Sequence, residues 1–157
     1  MTVKTIPDGY HSVTPYLSIK GASAAIEFYK KALGAIELFR LDMPGDLIGH
    51  AEIQIGNSRI MIADPCDDVS FADPESLGGT TVGLYVYVND VDAIYSQAVD
   101  AGAKVIKPVE DQFYGDRTGA IEDPYGHRWF LATHIEDLTP EELSKRTENL
   151  FKEAASD

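Results

Sequence analysis

His50 and Glu52 stand two residues apart in a run, 50–55, that alternates polar with apolar side chains. On an extended chain alternate residues share a face. Ala51, Ile53 and Ile55 therefore turn toward a core, and His50, Glu52 and Gln54 turn the other way. An imidazole and a carboxylate on one face can move a proton, with His50 or Glu52 as the candidate catalytic group. They can also give two ligands to a divalent ion, provided a third donor such as His134 lies opposite. The plainer reading is a hydrogen-bonded pair, or an ion pair from Glu52 to Arg59, on an ordinary sheet.

The same parity sorts the other candidates. Ile60 and Ile62 point to the core, which leaves Arg59, Met61 and Ala63 on the side of His50. Thr14, Tyr16 and Ser18 oppose Leu17 and Ile19. Tyr85 and Tyr87 oppose Leu84, Val86 and Val88. Arg128, Phe130, Ala132 and His134 oppose Trp129 and Leu131. The face away from the core thus combines flat walls (Tyr16, Tyr85, Tyr87, Phe130) with a few polar handles (Thr14, His50, Glu52, Arg59, Arg128, His134). Small-ligand clefts are lined this way. Arg117, in Tyr114-Gly115-Asp116-Arg117, is expected on a loop or strand edge at the cleft mouth. There it clamps an anionic ligand or pairs with Asp116 or Glu122. His127 follows a turn, where it either takes part in catalysis or, the plainer reading, is satisfied by backbone.

The elements that position these residues come in two copies. Tyr16-Leu17-Ser18-Ile19 answers Tyr85-Val86-Tyr87-Val88, and Ala25-Ile26 answers Ala93-Ile94. Gly34-Ala35 answers Gly102-Ala103. Arg59-Ile60-Met61-Ile62-Ala63 answers Arg128-Trp129-Phe130-Leu131-Ala132, all at a nearly constant offset. Self-similarity of this kind marks a duplicated unit. The first copy reads as a strand (12–20), a helix (22–33) and three strands (36–43, 50–55, 59–63). In the helix Ala25, Ile26, Tyr29 and Leu33 recur at helical spacing, and Gly34 sits at the C-cap. Pro44-Gly45-Asp46 and Gly56-Asn57 mark turns. The second copy reads as a strand (82–89), a helix (91–101) capped by Asp90, and strands near 104–108, 119–122 and 128–134. Asp123-Pro124-Tyr125-Gly126 has turn chemistry at each position. Residues 64–80 read as a connecting loop. Thr139-Pro140-Glu141-Glu142 is a capping box that opens a separate helix to about Ala154, with Leu143 and Leu150 on one face. That helix is expected on the outside of the domain or against a partner subunit. The whole, 1–157, reads as one domain with units at about 10–65 and 80–137 and a C-terminal helix at 139–155.

Bulk properties narrow the partners. The chain of 157 residues carries 13 basic and 26 acidic side chains, a formal charge of −13. That sign opposes nucleic acid and anionic membrane surfaces, both polyanions. Cys66 is the only cysteine, so no intrachain disulfide forms, which suits a reducing cytoplasm. Residues 1–10 lack the basic start and apolar run of a secretory leader. A cytoplasmic location is therefore expected. No phosphate loop, dinucleotide fingerprint or hydrolase elbow is present.

Several segments together carry a family resemblance. They are Thr14-Pro15-Tyr16-Leu17, Ala24-Ala25-Ile26-Glu27-Phe28-Tyr29, Leu33-Gly34-Ala35, His50-Ala51-Glu52, Tyr114-Gly115-Asp116-Arg117-Thr118-Gly119, Asp123-Pro124-Tyr125-Gly126-His127-Arg128-Trp129 and Ala132-Thr133-His134. Over about residues 10–143 the chain resembles the vicinal oxygen chelate proteins: glyoxalase I, bleomycin-resistance proteins and extradiol dioxygenases. It is most similar to their PhnB-like single-domain group. The resemblance implies an α+β fold of two βαβββ units, whose eight strands curl into a half-open barrel sheet with helices outside. It also implies a ligand cleft on the concave face and a homodimer. Metal-using members place one ligand on the first and last strand of each unit. Those positions fall near Thr14, Met61, Gly83 and Phe130 here, and none of these is a histidine or carboxylate. The expectation is a protein without cofactor that binds a small aromatic or amphipathic molecule, as bleomycin-resistance relatives do. The alternative is a glyoxalase-type lyase or isomerase, or a dioxygenase, with a displaced divalent metal and Glu52 or His50 moving the proton. A third reading is an interaction module acting through the C-terminal helix.

Overall fold

A computed structural model describes residues 2–66 and 71–156, so part of the expected 64–80 loop, residues 67–70, lies outside the described residues. The first unit runs β1 (Tyr16–Ser18), α1 (Ala22–Leu33), β2 (Ile36–Met43), β3 (Leu47–Ile55) and β4 (Ser58–Ala63). A short helix, α2 (Pro74–Leu77), sits in the connection and is N-capped by the Asp73 carboxylate. The expected loop is therefore partly helical. The second unit runs β5 (Gly83–Tyr87), α3 (Val91–Ala101), β6 (Lys104–Asp111), β7 (Asp116–Glu122) and β8 (Arg128–His134), and α4 (Pro140–Ser156) follows.

The duplication holds at the level of pairing. Sheet order is β1-β4-β3-β2 in one unit and β5-β8-β7-β6 in the other. In each, the first strand lies parallel to the last and the remaining pairs are antiparallel. The eight strands divide into two hydrogen-bonded ladders, and no ladder joins β1 to β5. α1 and α3 end at the expected glycines, Gly34 at φ 67 and Gly102 at φ 120, and Asp90 caps the start of α3, accepting a hydrogen bond from the Ala93 N–H at 3.1 Å.

One apolar core spans both units. Ile26 and Tyr29 of α1, Ile53 and Ile62 of the first sheet, and Ile121, Trp129 and Leu131 of the second are all fully buried. Polar keys cross the same region. The Asp123 carboxylate is 3% exposed. It accepts hydrogen bonds from the Tyr29 hydroxyl at 2.5 Å, the Trp129 Nε1–H at 2.9 Å, and the backbone N–H groups of Tyr125 and His127 at 2.9 and 3.0 Å. Tyr29 belongs to one unit and the other three donors to the next. His127 Nε2 lies 3.0 Å from the Ser18 carbonyl, so this turn histidine is satisfied by backbone, that of the opposite unit.

The capping box at α4 forms as expected: the Glu142 N–H donates to Thr139 Oγ1 and the Thr139 N–H to Glu142 Oε2. No residue of α4 is buried. Arg146 ties it to the Glu136 carboxylate and the Phe113 carbonyl. Among the described residues no helix is long and apolar enough to cross a membrane.

Candidate functional site

Each sheet has one face on the helices and one on the reverse side, and most side chains fall as the alternation predicts, although Ser18, Ala63 and Ala132, expected on the reverse side, are buried. Ala51, Ile53 and Ile55 are buried while His50, Glu52 and Gln54 are half-buried on the reverse side. Trp129 and Leu131 are fully buried while Arg128 and His134 are exposed. The register then assembles each open face. Tyr16 pairs with Met61, which pairs in turn with Glu52. Tyr85 pairs with Phe130, which pairs with Ala120.

At the seam where the ladders stop lies a cleft of about 300 Å³. Tyr10, Thr14, Arg59 and Ile60 border it from the first unit and Leu84, Tyr85, Val86, Tyr87 and Trp129 from the second, so at the seam residues expected to turn toward the core line the cleft beside those expected on the open face. A broader neighbour of about 700 Å³ shares Pro15 and Leu84 with it and is bordered by Tyr16, Phe71 and His127. The aromatic wall is ordered. Tyr85 stacks on Phe130 with ring centres 6.3 Å apart and planes 11° from parallel, and it meets Tyr87 at 5.2 Å. The Phe130 ring fills the space where a side chain at Gly83 would start: a Cβ there would stand 2.5 Å from it. Tyr16 leans on Phe71 at 4.5 Å and meets His50 edge-on at 5.8 Å.

Behind that wall sits a carboxylate that the sequence reading did not single out for the site. Asp116, 4% exposed, accepts hydrogen bonds from the Tyr85 hydroxyl at 2.7 Å, the Tyr87 hydroxyl at 2.9 Å and His134 Nδ1 at 2.7 Å. Burial pushes its pKa up, but the hydrogen bonds from His134, Tyr85 and Tyr87 outweigh burial and hold it below the usual carboxylate value. The partners respond in the opposite sense. The Tyr85 hydroxyl is pushed far up, by burial first and then by Asp116; Tyr87 is pushed up chiefly by Asp116. His134 is raised by Asp116 and then by Asp137, whose carboxylate lies 2.8 Å from Nε2. An imidazole oriented by a buried carboxylate can store or hand over one proton at its outer nitrogen. The β7–β8 register sets Asp116 opposite His134, a pairing that the local sequence does not signal.

The other candidates are placed as follows. His50 Nε2 lies 3.4 Å from Glu52 Oε1, so that pair forms, while Glu52 makes no ion pair with Arg59. Both nitrogens of His134 are engaged by Asp116 and Asp137, so the third donor of a displaced ion site does not stand opposite His50 and Glu52. Arg128 lies on the open face, 3.6 Å from Glu122. Arg117 requires a correction. It is not at the cleft mouth and pairs with neither Asp116 nor Glu122; it grips Asp92 at 2.8 and 2.9 Å and Asp111 at 2.9 Å. The reason is that β7 starts at Asp116, earlier than predicted, so alternation sends Arg117 toward the first turn of α3.

The donor set of metal-using relatives can be tested position by position. Thr14, Met61, Gly83 and Phe130 offer a hydroxyl, a thioether, a hydrogen and a phenyl ring. A divalent ion needs imidazole, thiolate or carboxylate there, so these residues do not fit one. Among the described residues no three His, Cys, Asp or Glu converge as a ligand set.

Comparison with known proteins fits this geometry. Residues 11–131 match the family described as Glyoxalase/Bleomycin resistance protein/Dioxygenase superfamily. An uncharacterized protein of Mycobacterium tuberculosis (strain H37Rv) is 38% identical over 136 residues, spanning 84% of this chain and 79% of its own. An uncharacterized Arabidopsis thaliana protein is 29% identical over 124 residues, spanning 74% of each. Among solved structures, TioX from Micromonospora sp. ML1 superposes with a TM-score of 0.63 at 23% identity, over 82% of this chain and 100% of that one. The PhnB protein from Bacillus cereus, described as a putative 3-demethylubiquinone-9 3-methyltransferase, gives 0.59 at 19% identity, over 78% and 99%. At these identities the structures show a common fold alone.

Proposed function

Since the chain belongs to the Glyoxalase/Bleomycin resistance protein/Dioxygenase superfamily, we propose that it binds a small aromatic or amphipathic molecule in the seam cleft, without a metal at the family's usual positions. The observation that carries this is the aromatic wall: Tyr85, stacked on Phe130 and braced by Asp116, presents a fixed ring edge beside Tyr87 and Thr14. Tyrosines locked by hydrogen bonds lose little freedom when a ligand arrives, which favours binding. The substituted ligand positions Thr14, Met61, Gly83 and Phe130 support the metal-free reading.

The test is a thermal-shift screen of aromatic compounds followed by titration of any that stabilise the protein. Tyr87→Ala is expected to weaken such a compound by about tenfold, since an aromatic contact contributes roughly 0.5–1.5 kcal/mol. Chelator is expected to leave the affinity unchanged. An unaltered Kd in Tyr87→Ala, or loss of binding on removing a stoichiometric ion, refutes the assignment.

The same reading takes the protein as a cytoplasmic homodimer. Support for the dimer comes from β2, where Ile36, Phe39, Leu41 and Met43 are about half exposed along an edge strand. Apolar patches of this kind mark contact surfaces. Light scattering is expected to give twice the 17.2 kDa chain mass; a monomer at micromolar concentration overturns the dimer.

A further inference from the structure

We propose that the ligand of the seam cleft carries a carboxylate, and that Arg59 holds it; this rests on the reading of the cleft given above. Among the arginines, Arg40 pairs with Glu37, Arg117 with Asp92, Arg128 with Glu122 and Arg146 with Glu136. Among the described residues Arg59 is the one arginine without an ion pair, in a chain of net charge −13 where carboxylates are plentiful. Its Nε is buried without a hydrogen-bond partner. One other buried side-chain atom among the described residues shares that condition, the Tyr10 hydroxyl oxygen. Both residues border the same cleft. Two orphaned polar groups converging on one cavity are uncommon, because buried donors without acceptors cost stability.

The guanidinium is also held in place. Its carbon lies 4.8 Å from the centre of the Tyr10 ring, a cation–π contact that covers its face. Gly9, at φ 83, brings backbone against the group so closely that a Cβ there would collide with it. With the face covered, the N–H edges are what remain for a partner, and that fork matches a carboxylate. Glu52 is the nearby competitor. Burial raises the Tyr10 hydroxyl, the nearby Glu52 carboxylate raises it further as an acceptor and by its charge, and Arg59 opposes that rise, although neither group meets the hydroxyl in hydrogen-bond geometry. The hydrogen-bond partner of Glu52 is His50, so it does not satisfy Arg59. Tyr85 and Tyr87 line the cleft together with the apolar side chains of Ile60, Leu84, Val86 and Trp129, so the ligand class is an aromatic or amphipathic carboxylic acid.

The test compares 2-naphthoate with its neutral counterpart 2-naphthamide, titrated calorimetrically into the full chain at low salt. The wild type is expected to bind naphthoate at least tenfold more tightly, with the preference shrinking as salt is added. Arg59→Gln is expected to abolish the preference, so that naphthoate and the amide bind this variant with equal Kd. Arg59→Lys, which keeps the charge and guards against a folding defect, is expected to retain part of it. Equal affinity of the two probes for the wild type, or a preference that survives Arg59→Gln, overturns the carboxylate inference and leaves the cleft assignment standing. Absence of binding by either probe overturns both.

Discussion

Asp123→Ala is expected to lower the melting temperature by roughly 10 °C or more. The substitution strands the Tyr29 hydroxyl, the Trp129 indole N–H and two backbone N–H groups in a buried region. Breaking a buried charged network costs about 3–5 kcal/mol, and each kcal/mol moves the melting point of a chain this size by roughly 2–4 °C. Asp123→Asn is expected to be only slightly milder. Its single carbonyl oxygen can keep the turn N–H groups, but its amide then faces the indole N–H, donor against donor. Calorimetry decides: a drop below about 2 °C in the alanine variant refutes the role given to this carboxylate.

Asp116→Asn is expected to collapse the elevated pKa of His134 toward the ordinary imidazole value of about 6.5. NMR titration of the His134 ring reads this directly. The wild-type sign follows from the direction of each shift. His134 is raised, so its pairing stabilises the fold fully below the ordinary imidazole value and is lost as pH rises through the folded value. Asp116 is lowered, so its contribution is present above the ordinary carboxylate value and is lost as pH falls through its own lower one. The network therefore supports the wild type across the mildly acidic range, with losses at both ends. The asparagine variant is expected to lose the acid limb and to lose about 1–3 kcal/mol, since one buried acceptor must now serve three donors. Affinity for an aromatic ligand is expected to fall with it, because Tyr85 and Tyr87 lose their anchor. A His134 midpoint equal to that of the wild type sinks this account.

Much of the architecture was legible because its signals are local. Ala25, Ile26, Tyr29 and Leu33 state a helical face, and Gly34 ends it at a conformation other residues avoid. The alternation through 50–55 placed six side chains correctly because one face is fully buried. β7 was harder. Its Asp116-Arg117-Thr118-Gly119-Ala120 stretch has no apolar alternation, since small residues fill tight space on both faces: a Cβ at Gly119 would stand 2.8 Å from Tyr95 and Val109. The strand is therefore expected to start late, with Arg117 on a loop or strand edge at the cleft mouth and Asp116 only as its possible partner, whereas β7 begins at Asp116. The partner of Asp116 lies on another strand, and the partner of Tyr29 in another unit. Pairings of that range follow from register and packing, which no short window of sequence contains.

The break between the two ladders has a consequence for how such a molecule can diversify. Moving β5 away from β1 ruptures no main-chain hydrogen bond, because none spans them. The halves stay together instead through helix contacts and the Asp123 and His127 keys. The junction thus works like an expansion joint. Substitutions at Thr14, Pro15 or Leu84 can widen or narrow the opening while the fastening behind it stays fixed, so the size of guest admitted can drift without endangering the fold.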